Sequence, residues 1–178
     1  MHEIHSYIYR GSIYTFYIVL TFDLAILEQT SIVKNLLLEV QKWLYARGLS
    51  QWNTAFSDYW IQTEILNQHF YIVTQGTTIV ATFRLLTSDP AFWGEDDASA
   101  LYLHTLAVAR TAQGQSIGTQ ILDWVTAKAQ SDNKSLFRLD CLANNPFLVN
   151  YYAKYGFQYV RKKWVQESEY VLYEKTLS

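Results

Sequence analysis

Two periodicities alternate along the chain, and they divide it into strands and helices. Ser12 to Asp23 is dominated by β-branched and aromatic residues and reads as a strand. Val33, Leu36, Leu37, Val40 and Leu44 fall on one helical face, with Thr30 or Ser31 as a cap and Gly48 just past the end. Phe56, Trp60, Ile61 and Ile65 predict a second helix over 53–67. His69 to Thr74 and Thr78 to Leu86 predict a hairpin about Gln75-Gly76-Thr77, and Ser88-Asp89-Pro90 opens a loop to about Ser99. From Leu101 to Leu106 the residues alternate as a strand does. From Ile117 onward, Ile121, Trp124 and Val125 recur at helical spacing. Leu136 to Leu142 predicts a further strand. Asn145-Pro146 starts a helix that stops before Gly156, and two strands follow over 157–164 and 169–177.

The order is β-α-α-β-β-β-α-β-α-β-β, which predicts an α/β (α+β) fold, a mixed sheet with helices packed on it. At 178 residues with no repeat, low-complexity tract or linker, the chain reads as one domain over 1–178. Residues 1–11, polar and aromatic, read as a flexible or loosely docked end.

Composition narrows the classes. Half of the residues are hydrophobic, which excludes a disordered chain. The net charge of −2 argues against a general nucleic-acid binder. Arg161-Lys162-Lys163 is too short to change that and reads as a solvated strand edge. The apolar run Ile13 to Phe22 is interrupted by polar residues and falls short of the ~20 apolar residues that a membrane span needs. It also lacks the form of a secretory signal. A single cysteine, Cys141, excludes an internal disulfide and points to a reducing cytoplasm. Its place in the strand pattern predicts inert core packing. His2 and His5 lack a partner motif, so no metal site is expected.

The chemistry concentrates in Leu101 to Gln130. There a strand runs into Gln113-Gly114-Gln115-Ser116-Ile117-Gly118 and then into an amphipathic helix. Backbone amides at a helix N-terminus, aligned with the helix dipole, form an anion site. Downstream, LFRLDCLANNPFLVNYYAKYGFQYV combines a strand, an asparagine before a helix, and Tyr-x-Lys-x-Gly-Phe.

In this order and spacing the two pieces resemble the GCN5-related N-acetyltransferases. The likeness covers about Leu101 to Trp164. It implies a single-domain fold with a mixed, mostly antiparallel sheet, acetyl-CoA as co-substrate, and a small-molecule or peptide amine as acceptor. Nucleic acid and membrane are not implied as partners, and a homodimer is compatible with the family. By the same resemblance, Gln113, Gly114, Gln115, Ser116, Ile117 and Gly118 match the loop that holds the CoA pyrophosphate. Leu106, Ala107 and Val108 match the strand that pairs with the pantetheine arm. Asn145 matches the asparagine near that arm, and Tyr152 matches the tyrosine that protonates the leaving thiolate. Ser116 departs from the pattern, which has glycine there; serine fits if its φ is negative, and its hydroxyl could then bond phosphate or cap the helix.

His104 has the chemistry of a general base for the acceptor amine. Glu64 is an outside candidate, and the acidic run Glu95-Asp96-Asp97 has the charge to attract a cationic amine. Direct attack by the amine in a ternary complex is the expected route, and a non-catalytic CoA-binding module on the same fold is the alternative reading.

Overall fold

The computed structural model describes residues 4–9, 12–17, 19–52, 55–95 and 99–177. Strands β1 (Ile4–Tyr9) and β2 (Ser12–Tyr17) pair with each other as an antiparallel hairpin. The N-terminal end expected to be loose therefore carries a strand. The single strand expected over 12–23 is two, because β3 (Leu20–Leu24) joins the main sheet instead. β-propensity marks residues that suit a strand without marking where the pairing partner changes.

Two helices follow, α1 (Thr30–Tyr45) and α2 (Asp58–Leu66). A short 3₁₀ turn over Leu27–Gln29 leads into α1, so neither Thr30 nor Ser31 is its cap. Gln29 Oε1 accepts the Ile26 amide at 3.0 Å, and Thr30 Oγ1 donates back to the Leu27 carbonyl. Ser57 caps α2 by accepting the Trp60 amide at 3.1 Å, which starts that helix later than its apolar pattern; positions 53 and 54 lie outside the described residues.

The hairpin of β4 (Phe70–Gln75) and β5 (Thr78–Leu86) forms as its turn residues predict. The segment expected to be all loop contains a one-turn helix, α3 (Pro90–Trp93). Asp89 caps it by accepting the Phe92 amide, and Pro90 occupies its first turn, where no amide is needed. Then come β6 (Ala100–Val108), α4 (Ile117–Ser131), β7 (Leu136–Leu142), α5 (Pro146–Lys154), β8 (Gln158–Val165) and β9 (Ser168–Thr176).

The main sheet has seven strands in the order β3-β4-β5-β6-β7-β9-β8, antiparallel throughout except for the β6–β7 pair. Strand alternation sorts the core onto its two faces. Leu101, Leu103, Phe137, Leu139 and Cys141 face α4 and α5, packing on Ile121, Val125 and Tyr152. On the other face Phe70, Ile72 and Ala107 pack on Val33 and Leu37 of α1 and Ile61 of α2, while Tyr102 and Leu172 meet Trp93 of α3.

The parallel pair is short, and this creates the site. β6 and β7 pair from Ala100↔Leu136 to Leu103↔Leu139 and no further. β7 goes on with β9 as far as Leu142↔Tyr170. β6 instead follows β5 through a bulge: the register runs from Arg84↔His104 to Thr82↔Ala107, so β6 inserts one extra residue. Thr105 in this bulge has φ of 54°, a left-handed conformation that costs a β-branched residue roughly 1–2 kcal/mol. The two strands thus splay apart, leaving a notch.

Candidate active site

His104 and Asp140 are the first residues beyond the last β6–β7 pair, one on each side of the notch. The register places them on the face covered by α3. There His104 Nε2 lies 3.0 Å from Asp89 Oδ2, and His104 Nδ1 lies 3.3 Å from Asp140 Oδ1. The three side chains are nine-tenths buried or nearly so, at 6% exposure for Asp89, 12% for His104 and 10% for Asp140. Phe92 and Tyr170 cover the cluster, the Phe92 ring lying 5.6 Å from the imidazole and 5.0 Å from the Tyr170 ring.

The proton affinities follow from this setting. Burial opposes a charge on His104, yet its hydrogen bond to Asp89 and the charges of Asp140 and Asp89 outweigh that and raise its pKa; Arg84 pulls the other way. Burial pushes Asp140 up to about 6, with His104 drawing it back down and Asp89 pushing it further up. Nε2 is hydrogen-bonded to Asp89, while Asp140 Oδ1, 3.3 Å from Nδ1, is buried without a hydrogen-bond partner among the described residues. His104 and Asp140, in contact and both raised, titrate as a coupled pair.

Tyr152 reaches the same region from α5. Its ring is 5% exposed and packs on Phe157 and Tyr173. Among the described residues its hydroxyl has no hydrogen-bond partner. Burial raises its pKa, and the nearby Cys141 and Asp140 add to the rise, so the phenol stays protonated. Cys141 itself is fully buried and its thiol is pushed up to about 12, mainly by burial. It is no thiolate at neutral pH.

The loop before α4 has the shape of an anion cradle. A 3₁₀ turn over Arg110–Ala112 leads to Gln113, then Gly114 with φ of 83°, then Ser116 with φ of 56° and ψ of 21°. Ser116 is thus left-handed, so the negative φ that would let serine fit without strain is not met. It keeps the backbone path that glycine would take there and bears the strain in place of changing the loop. Its side chain makes no capping hydrogen bond, so the first amides of α4 are left without intrahelical partners. Gln115 is braced from the side, its Oε1 accepting Gln75 Nε2 at 2.9 Å. At Gly118 a Cβ would stand 3.2 Å from the Tyr151 hydroxyl, so a side chain there would press on that hydroxyl.

Arg110 stands beside this loop and was not singled out by the sequence pattern. Its guanidinium donates to Gln113 Oε1 and lies 3.9 Å from the centre of the Trp43 ring, at the end of α1. A positive charge therefore stands next to Gln113, at the start of the loop.

The other sequence candidates are placed as follows. Leu106, Ala107 and Val108 lie on the part of β6 that has left β7. Asn145 is 3% exposed and caps α5, its Oδ1 accepting the Leu148 amide at 3.3 Å. Glu64 is bound by Arg84 and by His69, the latter at 3.0 Å, so it is not free to serve as a base. Glu95 is exposed, and Asp96 and Asp97 lie outside the described residues, as does His2. The Arg161–Lys163 cluster is partly structural: Arg161 donates to the Trp93 carbonyl at 2.9 Å, and Lys162 pairs with Glu169. Sequence reasoning missed Asp89 and Asp140, which lie far apart in the chain and meet only through the parallel register.

With this geometry in view, comparison with known families matches residues 37–157 to the acetyltransferase (GNAT) family. The chain belongs to this family. It is an N-acetyltransferase by family, with acetyl-CoA as its co-substrate, and the reading as a non-catalytic module gains no support. It is similar to an uncharacterised N-acetyltransferase, YesJ, of Bacillus subtilis, at 28% identity over 162 residues, covering 86% of this chain and 88% of that protein. Solved folds resemble it over nearly their whole length. One is a GNAT-family acetyltransferase of Listeria monocytogenes, at a TM-score of 0.76 and 22% identity over 97% of this chain and 100% of the other. Another is a GNAT-family acetyltransferase of Streptococcus agalactiae, at 0.77 and 18% over 89% and 96%. The fold is also that of yncA from Salmonella typhimurium, solved with acetyl-CoA, at 0.63 and 11% over 89% and 94%. Among the described residues no helix is long and apolar enough to cross a membrane.

Proposed function

We propose that this acetyltransferase transfers the acetyl group directly from acetyl-CoA to a primary amine of a small molecule or peptide, within a ternary complex in a reducing cytoplasm. The observation that carries this reading is the notch. β6 and β7 part beyond Leu103 and Leu139, with the His104–Asp140 pair on one side and the Tyr152 hydroxyl reaching in from α5.

The roles follow from position. The amides of Gly114 to Gly118, with Gln113, Gln115 and the α4 dipole, hold the pyrophosphate. Arg110 supplies the positive charge that Gln113 lacks. The backbone of Leu106, Ala107 and Val108, released from β7, pairs with the pantetheine arm, and Asn145 fixes the start of α5 beside it. The acceptor ammonium gives one proton to the His104–Asp140 pair, with Asp89 holding the imidazole. The neutral nitrogen forms the C–N bond; as the tetrahedral intermediate collapses the C–S bond breaks, Tyr152 donates its proton to the departing sulfur, and the second proton of the acylated nitrogen, lost as the neutral amide forms, restores the phenol. A covalent route through Cys141 is disfavoured, because its thiol stays protonated and buried.

The test is release of free CoA thiol from acetyl-CoA against a broad panel of primary amines. Amine-dependent release supports the proposal. Acetyl-CoA binding without release to any amine removes it.

A further inference from the structure

Two guanidinium groups share one indole ring beside the cofactor loop. The Arg110 guanidinium carbon lies 3.9 Å from the centre of the Trp43 ring, and that of Arg47 lies 4.2 Å from the same centre. One face of an indole has room for a single guanidinium at such a distance, so the two take opposite faces and stand roughly 8 Å apart. The stack is tied to the loop on one side and to α1 on the other. Arg110 Nη2 donates to Gln113 Oε1, and the Arg110 amide donates to Glu39 Oε1 of α1 at 3.2 Å. Arg47 therefore stands one ring beyond the charge that flanks the pyrophosphate cradle.

The two cations lack a matching negative charge. Among the described residues neither guanidinium makes an ion pair. Each has given one N–H to a neutral oxygen, Arg110 to Gln113 and Arg47 to the Trp43 carbonyl at 3.3 Å, which answers the negative end of α1. The other N–H groups of these two side chains are donors without an acceptor. The Glu39 carboxylate is engaged by the Arg110 amide and by neither guanidinium. Arg47 is exposed and Arg110 half-buried, so the outer cation is open to a ligand. Stacking on the ring also orients both guanidinium planes, which lowers the entropy that a free surface arginine would lose on binding.

We infer that Arg47, held on Trp43, is the residue that recognises the 3′-phosphate of CoA. The inference rests on the reading of 113–118 as the pyrophosphate cradle. CoA carries a pyrophosphate on the 5′ side of its ribose and a phosphomonoester at the 3′ position. With the pyrophosphate on the α4 amides and Arg110, the monoester lies one sugar ring away, and the second guanidinium lies one indole ring away. The monoester is close to doubly charged at neutral pH and suits the paired N–H donors of an arginine. Arg47 thus reads the one group that distinguishes CoA from its 3′-dephospho form.

The test is calorimetric titration of CoA and of 3′-dephospho-CoA into the natural chain and into Arg47→Gln. The natural chain is expected to bind CoA roughly tenfold more tightly than 3′-dephospho-CoA, the scale of one charge-assisted pair. Arg47→Gln should weaken CoA alone, leave 3′-dephospho-CoA unchanged, and bring the ratio close to unity. In the natural chain the preference should shrink at high salt, since the pair is exposed. The substituted side chain is at the surface, so the variant folds and the comparison stands on binding alone. Equal binding of the two ligands by the natural chain overturns the inference, as does a preference that Arg47→Gln retains. An equal loss for both ligands in Arg47→Gln also overturns it, leaving Arg47 as a cap of α1. Binding of neither ligand by the natural chain overturns the cradle reading as well.

Discussion

His104 Nδ1 and Asp140 Oδ1 lie 3.3 Å apart across the point where β6 and β7 separate. Each group is held in its more protonated form by the fold: the pKa of Asp140 is raised to about 6 and that of His104 is raised above its ordinary value. The native state then binds protons that the unfolded chain has released, so this site costs stability as pH rises. For Asp140 the loss falls between its ordinary carboxylate range and about 6. For His104 the contribution is present below the unfolded pKa of ~6.5 and lost as pH passes its raised folded value. Urea unfolding of Asp140→Asn is expected to show a flatter midpoint below about pH 6. In His104→Gln the carboxylate loses the charge that draws its pKa down, so its part of the decline extends to higher pH while the imidazole's part is gone. Parallel pH profiles in all three proteins would contradict this coupling.

The Tyr152 hydroxyl has no partner among the described residues, so removing it should leave the fold intact. Tyr152→Phe is expected to unfold within about 0.5 kcal/mol of the natural chain, since no hydrogen bond is broken. It should bind CoA unchanged and lower kcat roughly 10²-fold, the lower end for loss of a general acid. Calorimetry and steady-state kinetics separate these effects, and an unaltered kcat would take Tyr152 out of the mechanism.

Ser116 keeps a glycine conformation without being glycine. Relief of left-handed strain, on the order of 1 kcal/mol, offsets the extra freedom of glycine in the unfolded chain. Ser116→Gly should therefore change thermal stability little and hold acetyl-CoA as well or better. Ser116→Val puts a β-branched residue at φ of 56° and should both destabilise the chain and weaken CoA binding. If valine binds as tightly as serine, the loop does not need this backbone path.

Arg110→Ala should weaken CoA binding by roughly three- to tenfold, the scale of a charge-assisted contact. The effect should shrink at high salt and vanish for pantetheine, which has no pyrophosphate. An equal loss for pantetheine would make Arg110 only a prop for Trp43 and Gln113.

The parts of the fold legible in the sequence are those set by local pattern. α4 and α5 follow from apolar spacing and from Asn145-Pro146, and the β4–β5 hairpin follows from its turn. α3 was hidden because Asp89-Pro90 breaks the preceding strand, although the same two residues also cap and open a helix. The cofactor loop was readable from residue types in order, but the left-handed Ser116 was not, since serine favours neither sign strongly enough to announce it. Asp89 and Asp140 could not be joined to His104 from sequence. Their meeting depends on where the β6–β7 ladder stops and on which face the β6 bulge leaves His104.

The most direct test of the proposed chemistry is the pH dependence of kcat/KM for the amine acceptor, measured by thiol release in the natural chain and in Asp140→Asn. The account predicts an acid limb in the natural chain with an apparent pKa belonging to the coupled pair, at or above the value of about 6 given to Asp140 by burial. In Asp140→Asn that limb should shift and the plateau should fall roughly 10²-fold, while acetyl-CoA affinity holds. An acid limb of unchanged position and height in Asp140→Asn would contradict the proton-accepting role of the notch.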